Sequence, residues 1–427
     1  MTDLDALRAL LSDRLSGRLS GRLSGREGAV VEMLPALAYT SPEVLAWELR
    51  HLYAGTWTCL GRLDELLADD GPGGKPVTQR AVVVGDVSAL LVRDDASDAG
   101  NAEAGQGVRL FANTCRHRGH ELLGAGESTD RRSIQCPYHA WTYRLDGSVL
   151  AAPGFRDTDF DAAAHGLVEL PVTVWAGWVF GHGAHALGDP AVVPFGRHLG
   201  ALGSVVEPYA PERLRLGDRH GYEVAANWKV IAENYHECYH CPLIHPELCQ
   251  VSPPTSGDNY DLPGAWVGGS MVLREGMATM SLTGASDGNP IAGVDPTAVE
   301  YLHLLPNLLV SAHPDYVMTH RLVPLAPDRT WVECSWYLLP DADGTVPDPA
   351  YAVEFWDLTN RQDWAACESV QRGLRSPHFR PGPFAPNEDA VAALVTVLAA
   401  AYLGGAGQGE TATPSESAPA NFGAPSS

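Results

Sequence analysis

The sequence predicts an α+β protein in which an all-β domain is followed by an α+β domain with an antiparallel sheet flanked by helices. Three observations point there. The chain has 427 residues, enough for two or three domains with buried cores. From about 57 to 185 its apolar runs are short and end at turn signals. From about 205 to 402 strand-like runs alternate with long helical ones. The expected divisions are an N-terminal extension over 1–40, the all-β domain over 41–185, the α+β domain over 186–403 and a disordered tail over 404–427.

Residues 11–26 repeat as LSDR, LSGR, LSGR, LSGR, which puts Leu11, Leu15, Leu19 and Leu23 near one helical face. Each glycine in a helix interior costs about 1 kcal/mol relative to alanine. A poorly ordered basic extension is therefore expected, with a subunit-contact helix as the alternative. Residues 41–67 open with "SPEVLAWELRHLYAG": Ser41 caps, Pro42 takes the first helical position and Glu43 follows, so a helix leads into the first domain. The runs "AVVVGDVSALLVRD", "GVRLFANTC", "SIQCPYHAWTYRLDGSVL" and "GLVELPVTVWAGWVFGH" then read as strands, and 94–107 as a polar loop. In the second domain "NWKVIAENYHECYH" is helical, "HLLPNLLVSAHPDYVMTHRLVPL" and "TWVECSWYLLP" are strands, and "PAYAVEFWDLTNRQDWAACESVQRGL" and "NEDAVAALVTVLAAAYL" are helices. The tail is rich in Gly, Ser, Thr, Ala and Pro.

The formal net charge is -23, and so acidic a surface repels phosphate backbones; no nucleic-acid partner is expected. No window approaches eighteen apolar residues, and the N-terminus lacks the order of a signal peptide. The expectation is a cytoplasmic protein without a membrane span. The eight cysteines are scattered, which in a reducing compartment favours metal ligation and burial over disulfides.

Two stretches carry metal-ligand chemistry. "TCRHRGHEL" offers Cys115 and His117; "QCPYHAW" offers Cys136 and His139. One reading is a structural zinc site with two cysteines and two histidines. Zinc sites usually pair like ligands in sequence, whereas here each loop supplies one of each. That mixed order suits a dinuclear cluster, with Cys115 and Cys136 on one iron and His117 and His139 on the other, the ligand set of a Rieske [2Fe-2S] centre. "CRHRGHEL" and "CPYHAWTYRLDG" resemble the two cluster loops of Rieske oxygenases, with one residue inserted between them near "GESTDRR". His120 falls outside both spacings and is expected to be a loop residue.

The second stretch is "ENYHECYHCPLIHPELC". Asn227 to Cys241 has helical character, and Glu237 and His240, three apart, are helix neighbours. His245, five on from His240, would sit about 140° off that face in an unbroken helix. Pro242 is expected to end or kink the helix near 241 and free His245 to swing back. Two imidazoles suit iron, copper or zinc, and a non-haem iron adds one carboxylate and leaves positions open. Asp363 is the carboxylate candidate; Asp357, Glu368 and Glu388 are alternatives.

"NWK…ENYHECYH…H" followed by "QDWAACESVQRGL" is similar to the catalytic domain of the Rieske non-haem iron oxygenases, the ring-hydroxylating dioxygenase α-subunit family. The likeness runs from about 45 to 402. It implies a helix-grip, START-like catalytic domain and a mononuclear Fe(II) held by His240, His245 and Asp363. It also implies that Glu237, with Asn234 beside it, belongs to the catalytic set. In the family an acidic residue at the place of Glu237 bridges cluster and iron across a subunit boundary, which implies a head-to-tail homotrimer. Cys238 and Cys241 then become packing residues, and His236 a surface residue or one behind the ligands. The chain has no Gly-x-Gly-x-x-Gly fingerprint after a strand and no plant-type ferredoxin cysteine run. Electrons are expected from NAD(P)H through a separate flavin or ferredoxin-type reductase.

The wording looks closest to the glycine-betaine and choline monooxygenase type, which implies N-demethylation or hydroxylation of a quaternary ammonium compound. An N-methyl cation is held by aromatic faces, and Trp266, Tyr301, Tyr316, Trp336 and Trp356 are the candidates. His303, His313 and His320 are further pocket candidates, or else satisfied strand residues. The alternatives are an oxygenase of aromatic rings or secondary metabolites and, in a different class, a non-catalytic electron-transfer or zinc-stabilised protein.

Overall fold

The computed structural model describes residues 1–23, 31–69, 74–93 and 107–404, with no side-chain description over 15–23. The tail beyond Gly404, the loop before Gly107 and the end of the LSGR repeat lie outside the described residues. No helix among those described is long and apolar enough to cross a membrane.

The first half is β-rich, as expected. Gln79–Val84, Val87–Arg93 and Val108–Ala112 pair antiparallel in chain order within a five-stranded sheet. The hairpin turn between the first two places Gly85 at φ 63°. A Cβ there would meet the Leu49 carbonyl oxygen at 2.1 Å, so only glycine lets the turn lie against the preceding helical segment. Thr58–Arg62 pairs with Trp178–Gly181, which pairs with Val172–Trp175, so the first and last strands of this half are neighbours. A small three-stranded sheet of Ile134–Gln135, Thr142–Tyr143 and Val149–Ala151 carries one of the cysteine–histidine loops.

The second half is a seven-stranded antiparallel sheet. Its central ladder runs Arg215–Val224, Arg329–Leu338, Tyr316–Ala326, Leu308–Ala312, Ala298–Leu304 and Trp266–Val272. The helix Ala350–Leu374 buries Ala352, Trp356, Thr359, Asn360, Cys367 and Gln371 at steps of three and four. That period defines one face, and Asp363 falls on the same stripe.

Two expectations about helices need correction. The start of the N-terminal extension is not loose: Asp3–Leu23 is helical, and Leu7 and Leu11 are 0% and 4% exposed, while the last part of the repeat lies outside the described residues. Arg8 Nε donates to the Tyr402 carbonyl at 2.8 Å and Ser41 Oγ to Asp3 Oδ2 at 2.7 Å. Each buried leucine contributes about 1.5–3 kcal/mol, which outweighs the glycine cost further along. The helix expected to open residues 41–67 runs only Pro42–Glu48, with a wider turn to Tyr53 before the strand at Thr58; Ser41 caps it as expected, accepting from the Val44 amide.

A buried ionic knot joins these layers. Lys229 Nζ lies 2.6 Å from Glu48 Oε1, Trp228 Nε1 donates to Glu48 Oε2 at 2.7 Å, and the Tyr402 hydroxyl also donates to Glu48. One turn on, Tyr39 OH donates to Glu233 Oε1 at 2.7 Å. Helix Trp228–Tyr235 is thereby fixed just before the residues that form the site.

Candidate metal centres and active site

The two cysteine–histidine loops meet. Backbone bonds tighten each: Gly119 N to Cys115 O at 3.0 Å, Cys115 N to His120 O at 2.8 Å, Cys136 N to Trp141 O at 2.8 Å and Ala140 N to Cys136 O at 3.1 Å. Cys115 and Cys136 are 2% and 1% exposed. Tyr143 OH lies 3.3 Å from Cys115 Sγ and accepts from the Arg116 amide at 3.0 Å. The His117 and His139 rings sit 4.8 Å apart, with His117 stacked on Trp141. His117 is half-buried and His139 exposed. A single tetrahedral ion would draw all four ligand atoms to within about 4 Å of one another. Among the described residues, His240, His245 and Asp363 form the group whose ligand atoms all lie within 4.8 Å of one another. Two cysteines inside and two histidines outside could instead hold a dinuclear cluster. His120 stays in its loop, with Nδ1 against the Glu121 carbonyl.

At the second centre His240 Nε2 and His245 Nε2 lie 3.1 Å apart, and Asp363 Oδ1 is 2.8 Å from the second and 3.3 Å from the first. Each imidazole is held by its other nitrogen. His240 Nδ1 contacts Glu237 Oε1, and His245 Nδ1 lies 2.7 Å from Gln362 Oε1. Protons on those Nδ1 atoms leave both Nε2 lone pairs aimed at one point beside a carboxylate. Burial works against a charged His240, yet Asp363 and Glu237 outweigh it and raise its pKa to about 10, so without a cation at the centre its Nε2 holds a proton that a bound metal would displace. The same two histidines lower the Asp363 carboxyl against its own burial. Two imidazole nitrogens and a carboxylate that draw positive charge fit a non-haem iron.

The local backbone differs from expectation. The helix ends at Tyr235, not near 241, and Pro242 sits in the first turn of a new short helix, Cys241–Ile244. Glu237 explains the early stop: its carboxylate accepts from the Tyr239 and His240 amides at 2.5 and 3.2 Å, replacing helical carbonyls. Glu237 and His240 are thus turn partners, not helix neighbours. In that turn Cys238 and Cys241 form a disulfide, with Cα atoms 4.9 Å apart, which corrects the expectation of two free packing cysteines. His236 is 8% exposed, so it is no surface residue; it pairs with His303 at 3.3 Å.

The other carboxylates are engaged elsewhere. Asp357 accepts from Tyr222, Glu368 from the Ala225 amide and Glu388 from the Ala385 amide. A cavity of about 310 Å³ opens onto the triad and is lined by Asn234 and Glu237. Of the aromatic candidates Tyr301 and Trp356 line it, and His320 does too. Trp266, Tyr316 and Trp336 belong to the packed core; Tyr316 OH donates to the Met280 carbonyl. His303 is tied to the Pro306 carbonyl, and His313 stacks on Tyr316 at 4.0 Å. Tyr235 and Trp364 also line the cavity and were not expected. Both were visible in sequence as neighbours of site residues: Tyr235 follows Asn234, and Trp364 follows Asp363. The cavity's carboxylates are Glu237, Asp363 and Asp389, and no lysine or arginine is among its described lining residues.

Comparison with known proteins matches both halves of the chain. The Rieske [2Fe-2S] domain matches residues 56–167, and the ring hydroxylating alpha subunit catalytic domain matches 211–404. The glycine betaine monooxygenase oxygenase subunit of Chromohalobacter salexigens is 30% identical over 388 residues, 82% of this chain and 81% of the relative. The carnitine monooxygenase oxygenase subunit of Escherichia coli is 29% identical over 354 residues, covering 81% and 85%. A quaternary ammonium Rieske monooxygenase of known structure, described for carnitine oxidation by gut microbiota and inter-subunit electron transfer, has a TM-score of 0.67 at 25% identity. It covers 87% of this chain and 95% of its own. Naphthalene 1,2-dioxygenase from Rhodococcus sp. shares the fold, with a TM-score of 0.68 at 18% identity over 94% and 99% of the two chains.

Proposed function

This chain belongs to the Rieske non-haem iron oxygenases of the ring-hydroxylating α-subunit family, and from that premise we propose that it oxidises a quaternary ammonium compound such as glycine betaine. The observation that carries the substrate class is the cavity beside the triad. Tyr235, Tyr301, Trp356 and Trp364 line it, its carboxylates are three, and none of its described lining residues is a lysine or arginine. Aromatic faces and negative charge suit an N-methyl cation. The names of the relatives point the same way.

In this reading Cys115, Cys136, His117 and His139 hold a Rieske cluster, and His240, His245 and Asp363 hold a mononuclear Fe(II). The cluster supplies electrons one at a time and the iron supplies the site for dioxygen. The protein's own groups orient them. Glu237 and Gln362 fix which nitrogen each histidine presents. Asn234 sets an amide in the cavity wall to orient the substrate. Glu237 also serves as the bridge to a cluster histidine such as His139 of a second copy, in a cytoplasmic homotrimer fed from NAD(P)H by a separate reductase. One oxygen atom enters an N-methyl C–H bond and the second leaves as water with two electrons and two protons. The N-hydroxymethyl group then loses its hydroxyl proton to solvent and collapses to formaldehyde and a dimethylamino product.

Formaldehyde release tests this. The metal-loaded protein, reduced by a surrogate reductase, would be given glycine betaine, choline and carnitine separately. Formaldehyde in proportion to oxygen consumed is the expected result with a demethylated substrate; choline is checked for its aldehyde as well. Reduction of the protein without either product from any of the three overturns the quaternary ammonium reading.

A further inference from the structure

We propose that Cys238 and Cys241 are a reversible dithiol–disulfide pair that responds to oxidant released in the active-site cavity and sets how firmly Glu237 and His240 are held. The inference rests on the reading of His240 as an iron ligand, but the redox chemistry of the pair can be read without it.

Four observations carry it. First, the two cysteines are joined in a disulfide whose ring encloses Tyr239 and His240 and follows directly on Glu237. Second, that ring spans the turn between the helix that ends at Tyr235 and the one that starts at Cys241. The amides of Tyr239 and His240 are held by the Glu237 carboxylate, and Cys241 N reaches the Cys238 carbonyl at 3.3 Å. The disulfide is therefore a covalent strap across a turn whose first half is held by the Glu237 side chain and whose far end opens the short helix Cys241–Ile244. Third, of the eight cysteines only these two line the cavity that opens onto the triad. Fourth, the pair is graded in access: Cys238 is half-buried and Cys241 is 3% exposed. The free cysteines Cys59, Cys334 and Cys367 are buried away from the cavity, and burial raises the thiol of each.

The chemistry balances with hydrogen peroxide, the two-electron reduction product of dioxygen that escapes when substrate is not hydroxylated. The accessible Cys238 thiol gives up its proton and attacks peroxide as the thiolate; the proton joins the departing hydroxide, giving a sulfenic acid and one water. Cys241 then displaces the sulfenic oxygen, closing the disulfide and releasing a second water. The net change is two thiols plus one peroxide to one disulfide plus two waters. The return step is exchange with an external dithiol of the thioredoxin class, which leaves as its own disulfide. Closing so small a ring removes chain freedom from residues 238–241, which include His240 and follow Glu237. The strapped form holds its iron, and the open form releases it on the order of tenfold faster, the size expected from loop closure.

The test uses the holoprotein in two states, one treated with peroxide and one with a thioredoxin system. Free thiols are alkylated under denaturing conditions and the 238–241 peptide is mapped by mass spectrometry. Iron release to a colorimetric chelator is timed in parallel. The expected result is a linked pair after peroxide, two alkylated thiols after reduction and faster iron release from the reduced form. Cys238→Ser is expected to give one release rate in both treatments; because wild type serves in both states, a misfolded variant leaves the test intact. Alkylation of both cysteines after peroxide, or a linked pair that thioredoxin does not open, overturns the redox pair. Equal release rates in two states of proven thiol content overturn the strap. Iron counting on the untreated protein keeps a failure of the iron reading separate: a chain with cluster iron alone refutes the mononuclear site and with it the strap, while the peptide map still decides the redox chemistry.

Discussion

His240 and His245 show how single side chains tune this site. Each presents Nε2 to one point because its Nδ1 is engaged behind it, by Glu237 and by Gln362. The two partners differ in kind. Gln362 is a neutral amide whose own Nε2 reaches Glu247 at 3.4 Å, so its role is orientation. Gln362→Leu is expected to weaken mononuclear iron binding by about 10–100-fold, the usual effect of losing such a partner, and to leave the cluster spectrum unchanged. Iron per chain after equilibration with a competing chelator reads this directly. Glu237 carries charge and also holds two backbone amides. Glu237→Gln keeps a hydrogen-bonding oxygen and loses the charge. Both metal sites are expected to stay loaded while turnover falls by about 100-fold or more, the scale of losing one positioned catalytic group. Wild-type turnover in that variant would remove Glu237 from the electron path.

At the scale of elements, the long helix was readable because its stripe is regular. Apolar positions at steps of three and four run through Asp363, so an acid on a buried face stood out in the sequence. The short helix before the site was read too long. A periodic pattern continues past Tyr235, but the Glu237 side chain outcompetes the helical carbonyls, a local effect that periodicity does not carry. The Cys238–Cys241 link was missed because composition argued for a reducing compartment and says nothing of a turn that brings two cysteines face to face. The docking of the first turns of Asp3–Leu23 was missed because part of what they pack against, the helix Asp389–Gly404, lies nearly four hundred residues away, as the Arg8 contact with Tyr402 shows. The helix Trp228–Tyr235 also makes a pH prediction. Burial raises Glu233 to about 7, against the pull of Tyr39 and Lys229, while an ordinary glutamate titrates at 4.5. The folded chain thus keeps a proton that the unfolded chain gives up between these values. Stability should fall as pH rises through that window and level off above it. Glu233→Gln keeps an acceptor for Tyr39 and removes the titration. Denaturant unfolding should show the wild type losing up to about 3 kcal/mol between pH 4.5 and 8 that the variant does not lose. Parallel pH profiles for the two proteins would refute a buried, proton-holding Glu233.

At the scale of the molecule, the two centres present their working edges outwards. On the cluster side His139 is exposed and Tyr138 beside it is 53% exposed. On the iron side Tyr239 and Leu243 are 63% and 91% exposed, on either side of His240. Large apolar side chains left open next to a proposed metal ligand suit coverage by another surface. The head-to-tail ring proposed above, with the cluster edge of one copy against the iron edge of the next, would leave neither exposed. Such a ring makes each productive pair a joint property of two chains, and that can be tested by complementation. Asp363→Ala removes the iron carboxylate and leaves the cluster loops intact; Cys136→Ser does the reverse. Each variant alone should be inactive. Co-expressed in equal amounts, they place an intact cluster against an intact iron at about one interface in four of a ring, so about a quarter of wild-type turnover should return. Tagged copies of both variants in one purified assembly would verify mixing, and iron counting would verify loading. A mixed, loaded assembly without activity would mean that each chain passes electrons only to its own iron, and the ring would lose its functional reason.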